Sequence, residues 1–223
     1  MHKLFLVCFA VIFAVAAQAA NADVIFDDFE SGIDWVNSSA SNYWWKYSDT
    51  GDIFTPTLSS SGAPQGSNYL DIQATDNNYN YYTGGTGHYK EMDLSAYDSL
   101  RLLVKGDSSW GSLKIELKEK DGDMFKYGEW TEDESIWLPI NWTGWQEVII
   151  PFSAFVDDNA GIGNNAWTGD FASANFIVSA PAGGSVSWGL DSIGATSVVP
   201  EPSTIALFGA GIAGLLLISK KRR

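Results

Sequence analysis

The sequence is poor in the residues on which thiol and zinc chemistry depend. It has one cysteine, Cys8, and two histidines, His2 and His88. A disulfide is excluded by count, and beyond residue 22 there is neither a thiol nucleophile nor a multi-histidine zinc site. A Ser-His-Asp triad would have to use His88. That residue lies in the glycine-rich stretch TGGTGHY (83–89), which has no nucleophile-elbow sequence. A lone histidine in such a stretch is most often a loop or surface residue. Cations are also scarce. Setting aside Lys3, Lys220, Lys221, Arg222, Arg223 and Glu201 leaves 8 of the 13 Lys+Arg and 26 of the 27 Asp+Glu, a difference of −18 for residues 23–199. Such a surface does not bind nucleic acid or adhere to anionic lipid; it suits neutral ligands and divalent cations. Long amphipathic helical patterns and internal repeats are missing too. Neither apolar run, Leu4–Ala16 or Ile205–Ile218, reaches the ~20 residues of a full membrane span.

Those two runs mark the ends of the chain. Met1-His2-Lys3 is a short basic region, Leu4–Ala16 is apolar, and two A-x-A sites follow, Ala17-Gln18-Ala19 and Ala20-Asn21-Ala22. This order predicts a signal peptide over residues 1–22, with cleavage after Ala22. At the other end, Val199-Pro200-Glu201-Pro202-Ser203 precedes the second apolar run, and Lys220-Lys221-Arg222-Arg223 closes the chain. Fourteen helical residues at ~1.5 Å each span roughly 20 Å, short of the ~30 Å hydrocarbon core. The cations put the tail on the cytoplasmic side. The two prolines keep residues 200–202 extended and apart from a helix over 204–219.

The whole unit, residues 198–223, resembles the PEP-CTERM sorting signal of Gram-negative bacteria. The resemblance implies an exosortase partner, with cleavage near Pro200, Glu201 and Pro202. It also implies transient anchoring in the inner membrane and delivery to the cell surface or an exopolysaccharide matrix.

Between the ends lie short β-type runs bounded by Gly, Asn, Asp and Ser. Val24–Phe26, Tyr69–Ile72, Ser99–Lys105, Met124–Trp130, Trp145–Phe152, Phe176–Val178 and Val186–Ile193 read as strands. Leu113–Lys118 alternates strictly, apolar on one face and charged on the other, as a half-buried strand does. Asp121-Gly122 is a hairpin turn signal. Residues 37–42 and 157–169 read as surface loops. The pattern predicts an all-β antiparallel sandwich or barrel over residues 23–197. The ordered series DDFESG (27–32), YDSLRLLVKGD (97–107), LKIELKEKDGDMFKY (113–127), GWQEVIIPFSAF (144–155) and WGLDSI (188–193) resembles the jelly-roll carbohydrate-binding modules of galactose-binding-like fold.

That resemblance implies a structural calcium ion where the first and last strands meet, held by Asp28, Glu30 and Asp191. Asp121, Asp123 and the Asp157-Asp158 pair are poorer candidates, because turn chemistry alone accounts for DGD and no EF-hand spacing is present. Ten Trp, nine Tyr and twelve Phe exceed what a core of this size needs. Aromatic rings pack against the C–H faces of sugars, so Trp44, Tyr82, Tyr127 and Trp130 are the expected ligand platform. Successive strand residues face opposite sides, so only half of each aromatic cluster can serve a ligand. Glu116, Glu119, Glu129 and Glu147 are available for glycoside hydrolysis, yet nothing in the sequence sets two of them across a cleft. The expectation is a non-catalytic polysaccharide-binding protein of the cell surface or matrix. The alternatives are an adhesive matrix protein that binds no sugar and, behind it, a polysaccharide hydrolase or lyase.

Overall fold

The computed structural model describes residues 23–78, 82–128 and 137–197. The expected signal peptide, the sorting segment and Trp130 lie outside the described residues. Residues Asp23–Thr196 form one compact unit. Its strands are β1 (Val24–Asp27), β2 (Trp44–Ser48), β3 (Ile53–Ser59), β4 (Tyr69–Thr75), β5 (Gly84–Asp93), β6 (Ser99–Asp107) and β7 (Gly111–Glu119). They continue as β8 (Met124–Tyr127), β9 (Leu138–Ile140), β10 (Thr143–Pro151), β11 (Val156–Asp157), β12 (Asp170–Ser179) and β13 (Ser185–Thr196).

The first sheet runs β10-β6-β13-β4-β3, with β1 also paired to β13. The second runs β11-β8-β7-β12-β5-β2, with β9 paired to β7. Every pairing between these strands is antiparallel. The protein is thus the all-β antiparallel sandwich that the alternation predicts. Pro56 lies in β3, an edge strand, where its missing N–H costs no ladder bond.

Period-two patterning supplies both walls of the core. Leu70, Ile72 and Ala74 of β4, Leu100, Leu102 and Val104 of β6, and Trp188, Leu190 and Ile193 of β13 line one side. Leu113, Ile115 and Leu117 of β7, Ala174, Phe176 and Val178 of β12, and Trp44 of β2 line the other. Burial of this apolar surface, at about 25 cal/mol per Å², is the main force holding a chain that has no disulfide. One expectation needs correction. β7 is buried on both faces: Lys114 is fully buried and Glu116 nearly so, although they point away from the core.

Strand β5 escaped the sequence reading because it opens on glycines. It carries His88 into the sandwich, where the imidazole stacks on Trp44 (5.3 Å between centroids, 6° between planes). His88 Nδ1 lies 2.6 Å from the carbonyl oxygen of Tyr43, and Nε2 lies 3.7 Å from Asp27 Oδ2. The Trp44 indole N–H donates to the same Asp27 oxygen (2.9 Å). His88 is therefore a structural histidine. Burial holds its pKa below the ordinary 6.5, despite the opposing pull of the Tyr43 carbonyl and Asp27.

Because the buried ring takes up a proton less readily than the ring of the unfolded chain, the fold keeps its full stability above about pH 6.5 and loses part of it as pH falls toward the lowered folded value. Denaturant midpoints should therefore fall between pH 7.5 and 5.5. The fall should be shallower in His88→Gln; an equal slope in both proteins would show that another group sets it.

Candidate functional site

The outer face of the second sheet is not a uniform solvated surface. Cross-strand register places Trp45 opposite Gly87 and Tyr47 opposite Gly85. Both rings lie over the glycines, and a Cβ at either glycine would collide with the ring above it. Bare backbone on β5 thus makes a seat for two aromatic side chains on β2. Tyr89, two residues along the same face, is 62 % exposed, and its ring sits 4.6 Å from that of Trp45. Tyr82 meets Tyr47 edge-on at 6.2 Å, so it joins this row at one end.

Beside the aromatic row runs a polar one. Lys114 Nζ donates to Glu116 Oε1 at 3.0 Å. Asn175 Nδ2 donates to Glu116 Oε2 (3.0 Å) and to the Tyr47 hydroxyl (3.1 Å). Burial keeps the Lys114 pKa below the ordinary lysine value, with Glu116 offsetting part of the effect. Burial also pushes the Tyr47 phenol up to about 12, so it stays neutral at physiological pH. Asn175 Oδ1 is buried and accepts no hydrogen bond from the protein. The two rows border a groove of about 200 Å³ whose lining includes Trp45, Tyr89, Glu116, Lys118, Ser173 and Asn175. An aromatic wall beside the polar residues Lys118, Ser173 and Asn175 suits a neutral polyhydroxylated ligand.

The expected platform residues are distributed differently. Trp44 is fully buried and belongs to the core; its neighbour Trp45 faces out. The correction is one of parity, since adjacent strand residues point to opposite sides. Tyr127 is also on the core side. It pairs across the ladder with Ile115 and packs on Phe155 at 5.8 Å. Trp45, Tyr47 and Tyr89 were missed, and the signal that finds them is the GGTG segment lying opposite two aromatics.

Of the three acids expected to hold calcium, Asp28 and Glu30 lie near enough to Asp191 for their charges to act on it, but the three are not among the described acids whose carboxylate oxygens cluster within 4.8 Å. A register shift in β13 between Asp191 and Gly194, and one in β1 between Ile25 and Asp27, break the ladders where the two strands meet. Phe29 (φ 60°) and Ser192 (φ 50°) adopt left-handed backbone there. Glu30 Oε1 accepts the Ser67 and Asn68 N–H groups, both at 2.7 Å. Asp191, fully buried, accepts from Ser192 N–H (2.7 Å) and Gln65 N–H (3.4 Å). Its pKa is raised to about 6, first by burial and then by the charges of Asp28 and Glu30. The backbone here is strained and both ladders are interrupted, which sets these acids apart from ordinary strand positions.

Comparison with known proteins completes the picture. Residues 198–223 match the PEP-CTERM protein-sorting motif. The chain carries an exosortase sorting signal. The motif marks an exported protein addressed to the cell envelope through exosortase. No curated protein matches the sequence. Among solved structures, the chain is similar to the family 11 carbohydrate-binding module of the cellulosomal cellulase Lic26A-Cel5E of Clostridium thermocellum. The TM-score is 0.53 at 17 % identity, over 81 % of this chain and 97 % of that one. The Clostridium thermocellum family 11 module in complex with a β-1,3-1,4-mixed-linked tetrasaccharide gives 0.54 at 17 %, over 79 % and 96 %. An agarase, AgWH50C, gives 0.51 at 9 %, over 80 % of this chain and 25 % of that one. At such identities these likenesses establish the jelly-roll sandwich of a carbohydrate-binding module, and only the fold.

The parity assignment is directly testable. Trp44→Ala should cost about 3–5 kcal/mol in urea unfolding, as loss of a buried aromatic does. Trp45→Ala should move the urea midpoint much less; equal losses would mean that both rings serve the core.

Proposed function

We propose that this is a non-catalytic carbohydrate-binding protein, exported, held transiently in the inner membrane by residues 204–219, and released by exosortase to the surface or extracellular polysaccharide matrix. The observation that carries the reading is the groove beside Trp45 and Tyr89. There, exposed rings adjoin a buried Asn175 oxygen with no protein donor. A sugar ring stacked on the indole would bring its hydroxyls to the polar lining formed by Lys118, Ser173 and Asn175. Binding without hydrolysis is favoured by the acid count in the groove. Glu116 is the acid among its described lining residues, and it is tied to Lys114 and Asn175. Glycosidases need two carboxyl groups across the bond, about 5–9.5 Å apart, with one of them free to give up a proton.

The similar structures suggest probes, a mixed-linked β-1,3-1,4-glucan and agarose. In affinity electrophoresis the protein should be retarded by at least one matrix polysaccharide. Trp45→Ala and Asn175→Ala should abolish the retardation while leaving the fold intact. Retention on no polysaccharide would overturn the reading in favour of a purely adhesive matrix protein. Release of reducing ends would overturn its non-catalytic half.

The same proposal includes a structural Ca²⁺ held by Asp28, Glu30 and Asp191. The donors are all oxygens, and they tie the chain start to its last strand and to the loop at 65–68. Ligand binding to the folded state adds about 2.7 kcal/mol at a hundredfold excess over Kd. Adding Ca²⁺ to chelator-stripped protein should therefore raise Tm by several degrees, and Asp191→Asn should shrink the rise. A Tm indifferent to Ca²⁺ would remove the ion from the proposal.

A further inference from the structure

A second group of acids lies at the far end of β7, where the sequence showed only a turn. One carboxylate oxygen each from Glu119, Asp121 and Asp123 lies within 4.8 Å of one from each of the others. Clustered acids alone mean little in a protein this acidic. Two of these, however, are interior groups: Glu119 is 1 % exposed and Asp123 is fully buried. Each is held by one oxygen and bare at the other.

Glu119 Oε1 accepts from Thr168 N–H (2.8 Å), the Thr168 hydroxyl (2.8 Å), Gly169 N–H (2.6 Å) and Asp170 N–H (3.1 Å). Its Oε2 is buried with no partner. Asp123 Oδ2 accepts from Asn164 N–H (2.9 Å) and Asn165 N–H (2.7 Å), while Oδ1 is buried with no partner. No Lys or Arg among the described residues pairs with any of the three acids. Lys120, their neighbour in sequence, is engaged by Asp170 at 2.5 Å. Two negative groups side by side in the interior, each with a desolvated oxygen and no donor, would be strongly destabilising if left so.

We propose that Glu119, Asp121 and Asp123 form a second cation site, separate from the one at Asp28, Glu30 and Asp191, and that it takes Ca²⁺. An all-oxygen donor set excludes the soft and borderline metals that want Cys or His. Asp121 is exposed and closes the site on the solvent side, where water can complete the coordination. Ca²⁺ tolerates an irregular shell of carboxylates and waters, whereas Mg²⁺ demands a near-octahedral one. The protein is built to hold the two buried acids in place. The loop between β11 and β12 wraps the β7–β8 hairpin: Asn159 Oδ1 accepts from Met124 N–H (2.8 Å), and Asn164 Nδ2 donates to Asp121 Oδ2 (2.8 Å). Gly163 (φ 63°) lies so close to Asp123 that a Cβ there would strike the carboxylate. The ion would pin this loop to the hairpin whose strands carry Lys118 and Met124 into the sugar groove.

The test is calcium titration calorimetry on the full-length chain in detergent, after chelator treatment. Glu119→Gln and Asp123→Asn keep one oxygen to accept the backbone amides, replace the other by NH2 and remove the charge. Each should lose one Ca²⁺ per chain relative to the parent. Asp121→Asn, on the exposed side, should weaken the same event tenfold or more. Asp191→Asn should retain that event, which separates this site from the one proposed above. If the buried variants do not fold, Asp121→Asn decides. Calcium affinity unchanged in it, or a parent that binds no Ca²⁺ or loses all of its binding in Asp191→Asn, would overturn the proposal.

Discussion

The outer face of the second sheet depends on one buried ion pair, Lys114 with Glu116. Both side chains stand on the non-core face of a central strand, and both are shielded from water. An isolated charge in that position would be costly, and even a paired one gains little net stability. What the pair provides is order. Glu116 fixes Asn175, and Asn175 fixes the Tyr47 hydroxyl, so the amide at the edge of the groove has one orientation. The aromatic side of the groove has a different origin, in glycines at 85 and 87 that let Trp45 and Tyr47 lie against the backbone of β5. A charged chain of contacts and a bare strip of backbone together shape this groove on an otherwise ordinary sandwich.

The acids of this chain divide by environment rather than by number. Most of the 26 in residues 23–199 keep the surface negative. A few are interior and oriented by backbone N–H groups. Glu119, Asp123 and Asp191 belong to this class, each with its carboxylate bound by amides from a distant segment. These amide donors fasten the segments at 65–68 and 164–170 to the strands and hairpin that carry the acids.

Much of the fold was legible. Alternation in Leu113–Lys118, the turn at Asp121-Gly122 and the block GWQEVIIPFSAF all appear as the strands and hairpin they resemble. Strands β2, β3 and β5 were not, because glycine, proline and polar residues mask their periodicity. The site was legible in kind but not in register. Trp44 and Trp45 are adjacent and chemically identical, and nothing local says which one faces out. The choice is made by Asp27 and His88, which arrive from β1 and β5 to satisfy the Trp44 indole and stack on its ring. The acids of DDFE and LDSI could be paired through family resemblance, whereas Glu119, one residue short of a lysine and a turn, carried no such mark.

The sequence alone determined the class of structure, the acidic exported character and the address at the C-terminus. These follow from local patterning, summed charge and a contiguous motif, all of which are readable along a line. Tertiary structure decided which rings are exposed, which charges are buried and which acids meet. Those properties depend on strand parity, ladder register and loops that close over 40 or more positions of chain, and the chain acquires them only when the two sheets pack.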